Sequence, residues 1–222
     1  MMLPINEMFE TIQGEGVHTG VPSIFVRLQG CPIGCAWCDT KHTWDVTDSL
    51  VTDSTTVIAK TEDTPSFFRS SVSELLSLFS SQGYAAKHVV ITGGEPCMYD
   101  LVELTTSLYQ AGYSAQIETS GTFEIKCHED TWVTVSPKVG MKGGYKVLAS
   151  AMNRANEIKH PVAKESHIAD LDTLLALREQ PIKHICLQPI SQQKRATDLA
   201  VRTCIQRNWR LSLQTHKYLG IA

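Results

Sequence analysis

Three of the seven cysteines in this chain lie within eight residues, at Cys31, Cys35 and Cys38. Three thiolates at spacings of four and three positions can converge on one soft-metal centre, which is typical of iron–sulfur clusters, zinc or Cu(I). A structural zinc site needs four ligands, and His42 is the available fourth. Three cysteines without a fourth thiolate favour a [4Fe–4S] cluster with one iron open to a cofactor. The spacing therefore predicts a catalytic iron–sulfur centre, with a zinc site as the alternative.

A second segment whose residues could bind a ligand is Gly93-Gly94-Glu95-Pro96. Glycines let the backbone approach a ligand closely, and a carboxylate or carbonyl can receive an ammonium group. Taken alone, the segment is equally consistent with a turn. The remaining cysteines have no partner spacing and are expected to be small core or surface residues; they are Cys97, Cys127, Cys186 and Cys204.

Short β-branched runs alternate with amphipathic stretches, and this alternation predicts right-handed crossovers and a parallel sheet. The predicted strands cover residues 23–28, 88–92, 115–118, 132–136, 157–160, 184–188 and 209–214, and the predicted helices cover 71–82, 100–111, 170–180 and 194–207. Ser71 and Glu74 form a capping-box pattern at the start of the first of these helices. A closed eight-stranded barrel usually takes ~250 residues. The chain has 222, so we predict an α/β fold with a partial (β/α) barrel of about six parallel strands.

Polar residues follow every predicted strand, at the end where β/α barrels carry their reactive groups. Strand ends commonly meet polar loops, so the recurrence of this pattern counts for more than any single position. The groups are the Cys31 loop, Thr92–Glu95, Glu118–Ser120, Ser136–Lys138, Lys159-His160, Gln188 and Gln214–His216.

Composition excludes several other classes of protein. The chain is 42% apolar and 19% charged with a net charge of −3, which argues against a disordered chain and gives no reason to expect nucleic-acid or membrane binding. The N-terminus does not resemble a signal peptide, and no apolar run approaches the ~20 residues of a membrane helix. We therefore expect a cytoplasmic protein with one domain over residues 1–222. Residues 45–70 are expected to form a polar insert or flexible loop, with a short helix near 56–60.

The C-x3-C-x2-C triplet after the first predicted strand resembles the radical S-adenosylmethionine (SAM) superfamily, and Gly93–Pro96 matches its SAM-binding motif. Further segments resemble one family within it, the 7-carboxy-7-deazaguanine synthases of queuosine biosynthesis, in the branch found in proteobacteria. The resemblance covers almost the whole chain and is weakest over residues 45–70. The matching segments are Asn6–Phe9, Thr11–Gly16, Phe25–Cys31, Cys38–Thr40 with Trp44, Glu118–Gly121, Ser136–Lys138, Glu157–Lys159 and Gln188-Pro189.

This resemblance implies a lyase that converts 6-carboxy-5,6,7,8-tetrahydropterin to 7-carboxy-7-deazaguanine and releases ammonia. It implies a [4Fe–4S] cluster on Cys31, Cys35 and Cys38, SAM as cofactor, and Mg²⁺ held by Thr40, whose hydroxyl could otherwise be a turn or helix cap. The implied SAM contacts are Trp37, Asp39, Gly94, Glu95, Ser136, Pro137 and Lys138. The implied substrate contacts are Ile12, Gln13, Gly14, Glu15, Arg27, Thr92, Gln188 and His216. A homodimer and a flavodoxin-like reductant are further expectations from the family.

Two other functions are also consistent with the cysteine triplet. Activases that install a glycyl radical on a partner protein share the cysteine triplet and a similar length. A non-enzymatic binding module held by zinc would use His42 as the fourth ligand, but it explains neither Gly93–Glu95 nor the polar strand ends.

Overall fold

A computed structural model describes residues 2–190 and 193–221 of the chain. Its centre is one nine-stranded sheet in the order β3-β1-β2-β4-β5-β6-β7-β8-β9. The strands are Leu3–Ile12 (β1), Pro22–Leu28 (β2), Phe68–Ser70 (β3), His88–Gly93 (β4), Ser114–Thr119 (β5), Trp132–Val135 (β6), Glu157–Val162 (β7), His184–Pro189 (β8) and Arg210–Leu211 (β9).

The sheet confirms the predicted partial barrel, but it has more strands than expected. Seven strands are parallel, β2 and β4 to β9, while β1 and β3 pair antiparallel at one edge. Because β3 and β9 are the two edges, the sheet is open. Strand β1 was not predicted, since Pro4, Asn6 and Glu7 interrupt its apolar pattern and a bulge separates Ile5 from Glu7.

The described residues contain seven α-helices: Ser54–Ile58 (α1), Val72–Ser81 (α2), Val102–Gln110 (α3), Ala149–Arg154 (α4), Glu165–Leu175 (α5), Lys194–Arg207 (α6) and Thr215–Leu219 (α7). The capping box of α2 is present, with Ser71 and Glu74 each bonding the other's backbone amide. Helix α5 begins earlier than predicted, because Ile168, Leu171 and Leu174 place its apolar face on the sheet. None of the described helices is long and apolar enough to cross a membrane.

The segment at 45–70 is more ordered than the predicted loop. It contains α1 close to the predicted short helix, and it ends in β3, with Phe67 and Phe68 buried. Lys60 Nζ donates to three backbone carbonyls, including that of Asn6 in β1. The Lys60 side chain therefore fastens the insert to the backbone of β1 at the edge of the sheet, a contact that no apolar periodicity would reveal.

The loop after β1 reaches across to residues near the opposite edge of the sheet, in β7 and just after β9. Gly16 N donates to Ser212 Oγ at 3.0 Å, and Val17 N donates to Glu157 Oε1 at 3.2 Å. A side chain on Gly16 would meet the Glu157 carboxylate, and its φ of +67° also favours glycine. This crossing brings Gln13 and the residues after it against strands that are distant in sequence.

Candidate active site

A single cavity of about 370 Å³ lies at the carboxyl ends of the parallel strands. It gathers all of the candidate site residues except Pro137, which is buried behind the wall that Ser136 and Lys138 form. The sequence expectation that polar strand ends converge is therefore confirmed. The individual roles assigned to these residues remain predictions.

The cysteine loop forms one wall of the cavity. Gly30 N and Cys31 N donate to the carbonyls of Thr43 and Trp44, which folds the loop back on itself. Burial raises the pKa of the Cys31 thiol to about 11 and also raises that of Cys35. Bound iron would displace these protons, because thiolates are the form that ligates metals.

The donor set fits a [4Fe–4S] cluster better than zinc. Of the described cysteines, only Cys31, Cys35 and Cys38 line the cavity. The proposed fourth zinc ligand, His42, lies instead 3.7 Å from Glu7 and 3.7 Å from Asp63. Three thiolates without a fourth ligand leave one metal position open, as a cofactor-binding cluster requires.

The glycine motif packs directly against the cysteine loop. Gly94 N donates to Leu28 O at 2.9 Å, and Glu95 N donates to Gly30 O at 2.7 Å. A Cβ atom on Gly94 would lie 2.1 Å from Gly30 O and 3.0 Å from the Cys31 Cβ. Glycine is therefore required here, because the end of β4 and the cysteine loop approach within backbone contact.

The Glu95 side chain points into the protein and is 1% exposed. Its carboxylate accepts hydrogen bonds from Cys97 N at 3.0 Å, Thr119 Oγ1 at 2.6 Å and Ser120 N at 2.8 Å, and from the Ser120 hydroxyl. This geometry makes Glu95 the link between β4 and β5. Its expected direct contact with SAM stays a prediction.

Ser136 and Lys138 form the next part of the wall, where Lys138 Nζ donates to Ser136 Oγ at 2.7 Å. Burial lowers the pKa of Lys138, while the nearby Cys35 acts in the opposite direction. A cation beside the cysteine loop favours an anionic group in the cavity. This placement agrees with the predicted SAM contact.

A buried ionic triad occupies the middle of the cavity wall. Lys159 Nζ lies 2.6 Å from Glu15 Oε2 and 2.8 Å from Glu118 Oε2. Burial alone would raise the pKa of Glu15, but Lys159 and a hydrogen bond from Gln214 hold it at about 2. For Glu118, burial outweighs Lys159 and raises the pKa to about 7. One lysine therefore keeps Glu15 charged and leaves Glu118 near its titration point.

The opposite wall carries the predicted substrate contacts Arg27 and Thr92. They lie side by side, because the register pairs these two residues across β2 and β4. Arg27 Nε donates to Glu7 Oε2 at 2.5 Å, which orients the guanidinium group. Phe9 and Phe25 stack beside it with ring centroids 5.4 Å apart. A flat polar ring with a carboxylate suits this combination of apolar and cationic surface.

Segments from both ends of the chain complete the cavity. Gln13 Oε1 accepts from Glu15 N at 3.0 Å, and Gln188 Oε1 accepts from Ser212 Oγ at 2.9 Å. A side chain on Gly14 would overlap His216, so helix α7 packs directly on the loop after β1.

Trp37, Asp39 and Thr40 form the cavity rim. Trp37 is 40% exposed. Asp39 Oδ2 lies 3.4 Å from Lys217 Nζ, so helix α7 also reaches the cysteine loop.

Sequence reasoning left several lining residues unassigned: Phe9, Phe25, Glu118, Lys159 and Gln214. Glu118 and Lys159 were visible as polar strand ends, but their pairing with Glu15 depends on the crossing loop. Phe9 lies in the unpredicted β1.

Comparison with known proteins agrees with this site. The family model for a 4Fe-4S single cluster domain matches residues 12–127. The 7-carboxy-7-deazaguanine synthase of Escherichia coli K12 is 58% identical over 223 residues and covers all of both chains, and that of Buchnera aphidicola is 46% identical with the same coverage. The crystal structure of QueE from Escherichia coli superposes with a TM-score of 0.94 at 56% identity, covering 96% of this chain and 94% of that one. The chain therefore belongs to the 7-carboxy-7-deazaguanine synthase family.

Proposed function

We propose that this protein is a radical SAM lyase that converts 6-carboxy-5,6,7,8-tetrahydropterin to 7-carboxy-7-deazaguanine with loss of ammonia, in queuosine biosynthesis. The observation that carries the proposal is the placement of three cysteines and the Arg27–Thr92 wall around one cavity. The names of the relatives support the same reaction.

Cys31, Cys35 and Cys38 hold the [4Fe–4S] cluster in this proposal, and SAM lies against Gly94, Ser136 and Lys138. When bound, the cluster and SAM supply one-electron radical chemistry. The protein's own task is to position the substrate and to exclude competing reactions. The Gly94 backbone contact and the Lys138 ammonium beside Cys35 support this arrangement.

Arg27 binds the substrate carboxylate, since its planar guanidinium can form paired hydrogen bonds with a carboxylate. Gln13, Thr92 and Gln188 supply polar contacts to the ring edges. Release of ammonia requires proton transfer to the departing nitrogen. The Glu118 carboxyl group, with a pKa of about 7, can hold a proton and give it up near neutral pH.

Mg²⁺ held by Thr40 is a further part of the proposal. The Thr40 hydroxyl lies in the cavity wall, 3.6 Å from Cys38 Sγ. A hydroxyl is a hard oxygen ligand, and Mg²⁺ typically completes its shell with water and substrate. We expect Thr40→Ala to keep its iron but to lose the dependence of turnover on Mg²⁺. An unchanged Mg²⁺ response would remove Thr40 from the metal site.

We also infer a homodimer, a flavodoxin-like reductant and a cytoplasmic location. The apolar Val201 and Ile205 are exposed one helical turn apart on α6, and the short β9 leaves an open sheet edge. Both features suit a contact between two copies. None of the seven cysteines is in a disulfide, which supports a reducing compartment.

The decisive experiment uses anaerobically reconstituted protein. We expect a reduced [4Fe–4S] EPR signal that changes when SAM is added, followed by formation of 7-carboxy-7-deazaguanine from the carboxypterin. The matched variants are Arg27→Gln, which should lose substrate binding, and Arg69→Gln, an exposed strand arginine that should not. Failure of loaded, reduced wild-type protein to convert the carboxypterin would refute the assignment. Formation of a glycyl radical on an added glycyl-radical enzyme would favour the activase alternative.

A further inference from the structure

A second group of ligand-type side chains lies outside the cavity, where Glu7, His42 and Asp63 meet. They come from three separate parts of the chain: strand β1, the turn after the cysteine loop, and the insert. One ligand atom from each residue lies within 4.8 Å of the other two. Residues 56 positions apart in sequence, Glu7 and Asp63, therefore face the same imidazole.

The contacts within this group are too long to be hydrogen bonds. His42 Nε2 is 3.7 Å from Glu7 Oε1, and His42 Nδ1 is 3.7 Å from Asp63 Oδ2. A hydrogen bond between such atoms spans about 2.7–3.2 Å. Metal bonds to imidazole nitrogen and carboxylate oxygen are each about 2.1 Å. For His42 Nε2 and Glu7 Oε1, a separation of 3.7 Å then corresponds to an angle of about 120° at a shared ion, which a four- or five-coordinate metal can adopt. One ion can use only one ring nitrogen, so the exposed Asp63 carboxylate, which faces Nδ1, joins the site by rotating toward Nε2.

The His42 ring is the observation that points to a ligand. Its side chain is 10% exposed, and Nε2 is buried without a hydrogen-bond partner among the described residues. A buried polar atom without a hydrogen-bond partner destabilises the folded protein. An ion between Nε2 and Glu7 Oε1 would satisfy both atoms at once.

We propose that Glu7, His42 and Asp63 bind one divalent transition-metal ion, such as Zn²⁺ or Mn²⁺, at a site separate from the cysteine loop and from Thr40. One imidazole and two carboxylates form a mixed nitrogen–oxygen donor set that suits these ions. Asp63 is 70% exposed, so the remaining coordination positions open to water.

Two positively charged side chains near the group influence its affinity for a metal ion. Arg27 uses the other oxygen of Glu7, Oε2, and so leaves Oε1 for the ion. The Lys60 ammonium is held by backbone carbonyls of Asn6, Thr64 and Ser66. Both charges weaken binding of a further cation, so we expect moderate affinity. An ion here would fasten the insert to β1 and, through Glu7, would fix the orientation of Arg27.

The test uses cluster-loaded protein without SAM or substrate, with Mn²⁺ as the probe. The cysteines are then occupied by iron, and Mn²⁺ has little preference for thiolates. Binding is measured from the loss of the free Mn²⁺ EPR signal, and added Zn²⁺ should displace the ion. We expect one Mn²⁺ per chain in the wild type and at least about tenfold weaker binding in His42→Gln and Asp63→Asn.

Asp48→Asn is the matched control, because Asp48 is an exposed acid of the same insert. It should bind Mn²⁺ like the wild type, and so should Thr40→Ala. If His42→Gln loses its cluster, the exposed Asp63 variant decides the question. The proposal is overturned if the wild type binds no Mn²⁺, if His42→Gln and Asp63→Asn bind it as tightly as the wild type, or if Thr40→Ala alone loses it.

Discussion

Replacing Lys159 by methionine tests whether the buried triad holds the centre of the site together. Lys159 is the only positive partner of Glu15 and Glu118 within the triad, and its side chain is 5% exposed. Methionine has a similar length but no charge. The substitution therefore leaves two carboxylates facing each other without a cation.

The size of the effect follows from the two contact distances. At an effective dielectric constant of about 20, each contact at 2.6 or 2.8 Å contributes about 6 kcal/mol of attraction. The cost of removing three charges from water offsets much of this. Breaking a buried ion pair by deleting one partner costs about 3–5 kcal/mol overall. For a chain of this size, that loss corresponds to a fall of about 6–20 °C in Tm.

The assay is thermal unfolding of anaerobic, cluster-loaded protein at pH 8, with the exposed Lys183→Met as the control. Adding Glu15→Gln and Glu118→Gln to Lys159→Met should restore most of the lost stability, because no unpaired charge then remains. A Tm for Lys159→Met within about 2 °C of wild type would refute the argument that the triad is stabilising.

The same triad gives a pH prediction through Glu118. Its folded pKa of about 7 is raised from 4.5. Its contribution to stability is therefore fully present below pH 4.5 and is lost as pH rises through 7. Glu118→Gln does not titrate, so its stability relative to wild type should rise by about 3 kcal/mol between pH 4.5 and 8. Parallel pH profiles for the two proteins would contradict the raised pKa.

Three further substitutions test single contacts. Gly94→Ala should bind little iron on reconstitution, because its Cβ would overlap Gly30 O. Glu95→Gln should lower Tm by about 4–12 °C, since the amide cannot accept all of the bonds that Thr119 and Ser120 donate and about 2–3 kcal/mol is lost. His160 is buried and its pKa is lowered to about 4, so wild type should lose about 3 kcal/mol of stability as pH falls from 6.5 to 4, whereas His160→Gln should lose less.

Each of these three substitutions has a result that would contradict the prediction, and Gly94→Ala also has a control variant. Gly83→Ala meets no neighbouring atom within 4 Å, so it should cost only the backbone strain of about 1 kcal/mol and keep its iron. Full iron content in Gly94→Ala would show that the close backbone approach is not required. For Glu95→Gln, an unchanged Tm would mean that its hydrogen bonds are replaced at no cost. For His160→Gln, an acid profile that matches wild type would place the titration on other groups.

Short-range sequence patterns correctly predicted the helices whose ends and apolar faces are set by neighbouring residues. The capping residues Ser71 and Glu74 marked α2, and the predicted bounds of α6 match the observed Lys194–Arg207. Strand β1 was not predicted because the buried Asn6 breaks its apolar alternation, while its Nδ2 donates to Gln29 Oε1 and to two carbonyls of the insert. When a polar residue forms its hydrogen bonds with partners 23 to 60 positions away, the local sequence gives no sign that it is buried.

The site shows the same difference between features set by neighbouring residues and features set by contacts between distant residues. The cysteine spacing and the polar strand ends indicated the chemistry, since both are local features of the sequence. The roles of Glu15 and Lys159 depend on a contact between residues 144 positions apart. Phe25 lies in a predicted strand and Phe9 in the unpredicted β1, and only the register of β1 with β2 shows that both lie near Arg27.

The cysteine and glycine motifs are separated by 54 residues between Cys38 and Gly93, yet they form one physical unit. The amides of Gly94 and Glu95 bond the carbonyls of Leu28 and Gly30, just before the first cysteine. The carboxylate of Glu95 then binds the end of β5. A change in the glycine segment therefore displaces the cysteine loop and β5 together. This coupling explains why the two motifs, each ambiguous alone, become specific when they follow neighbouring parallel strands.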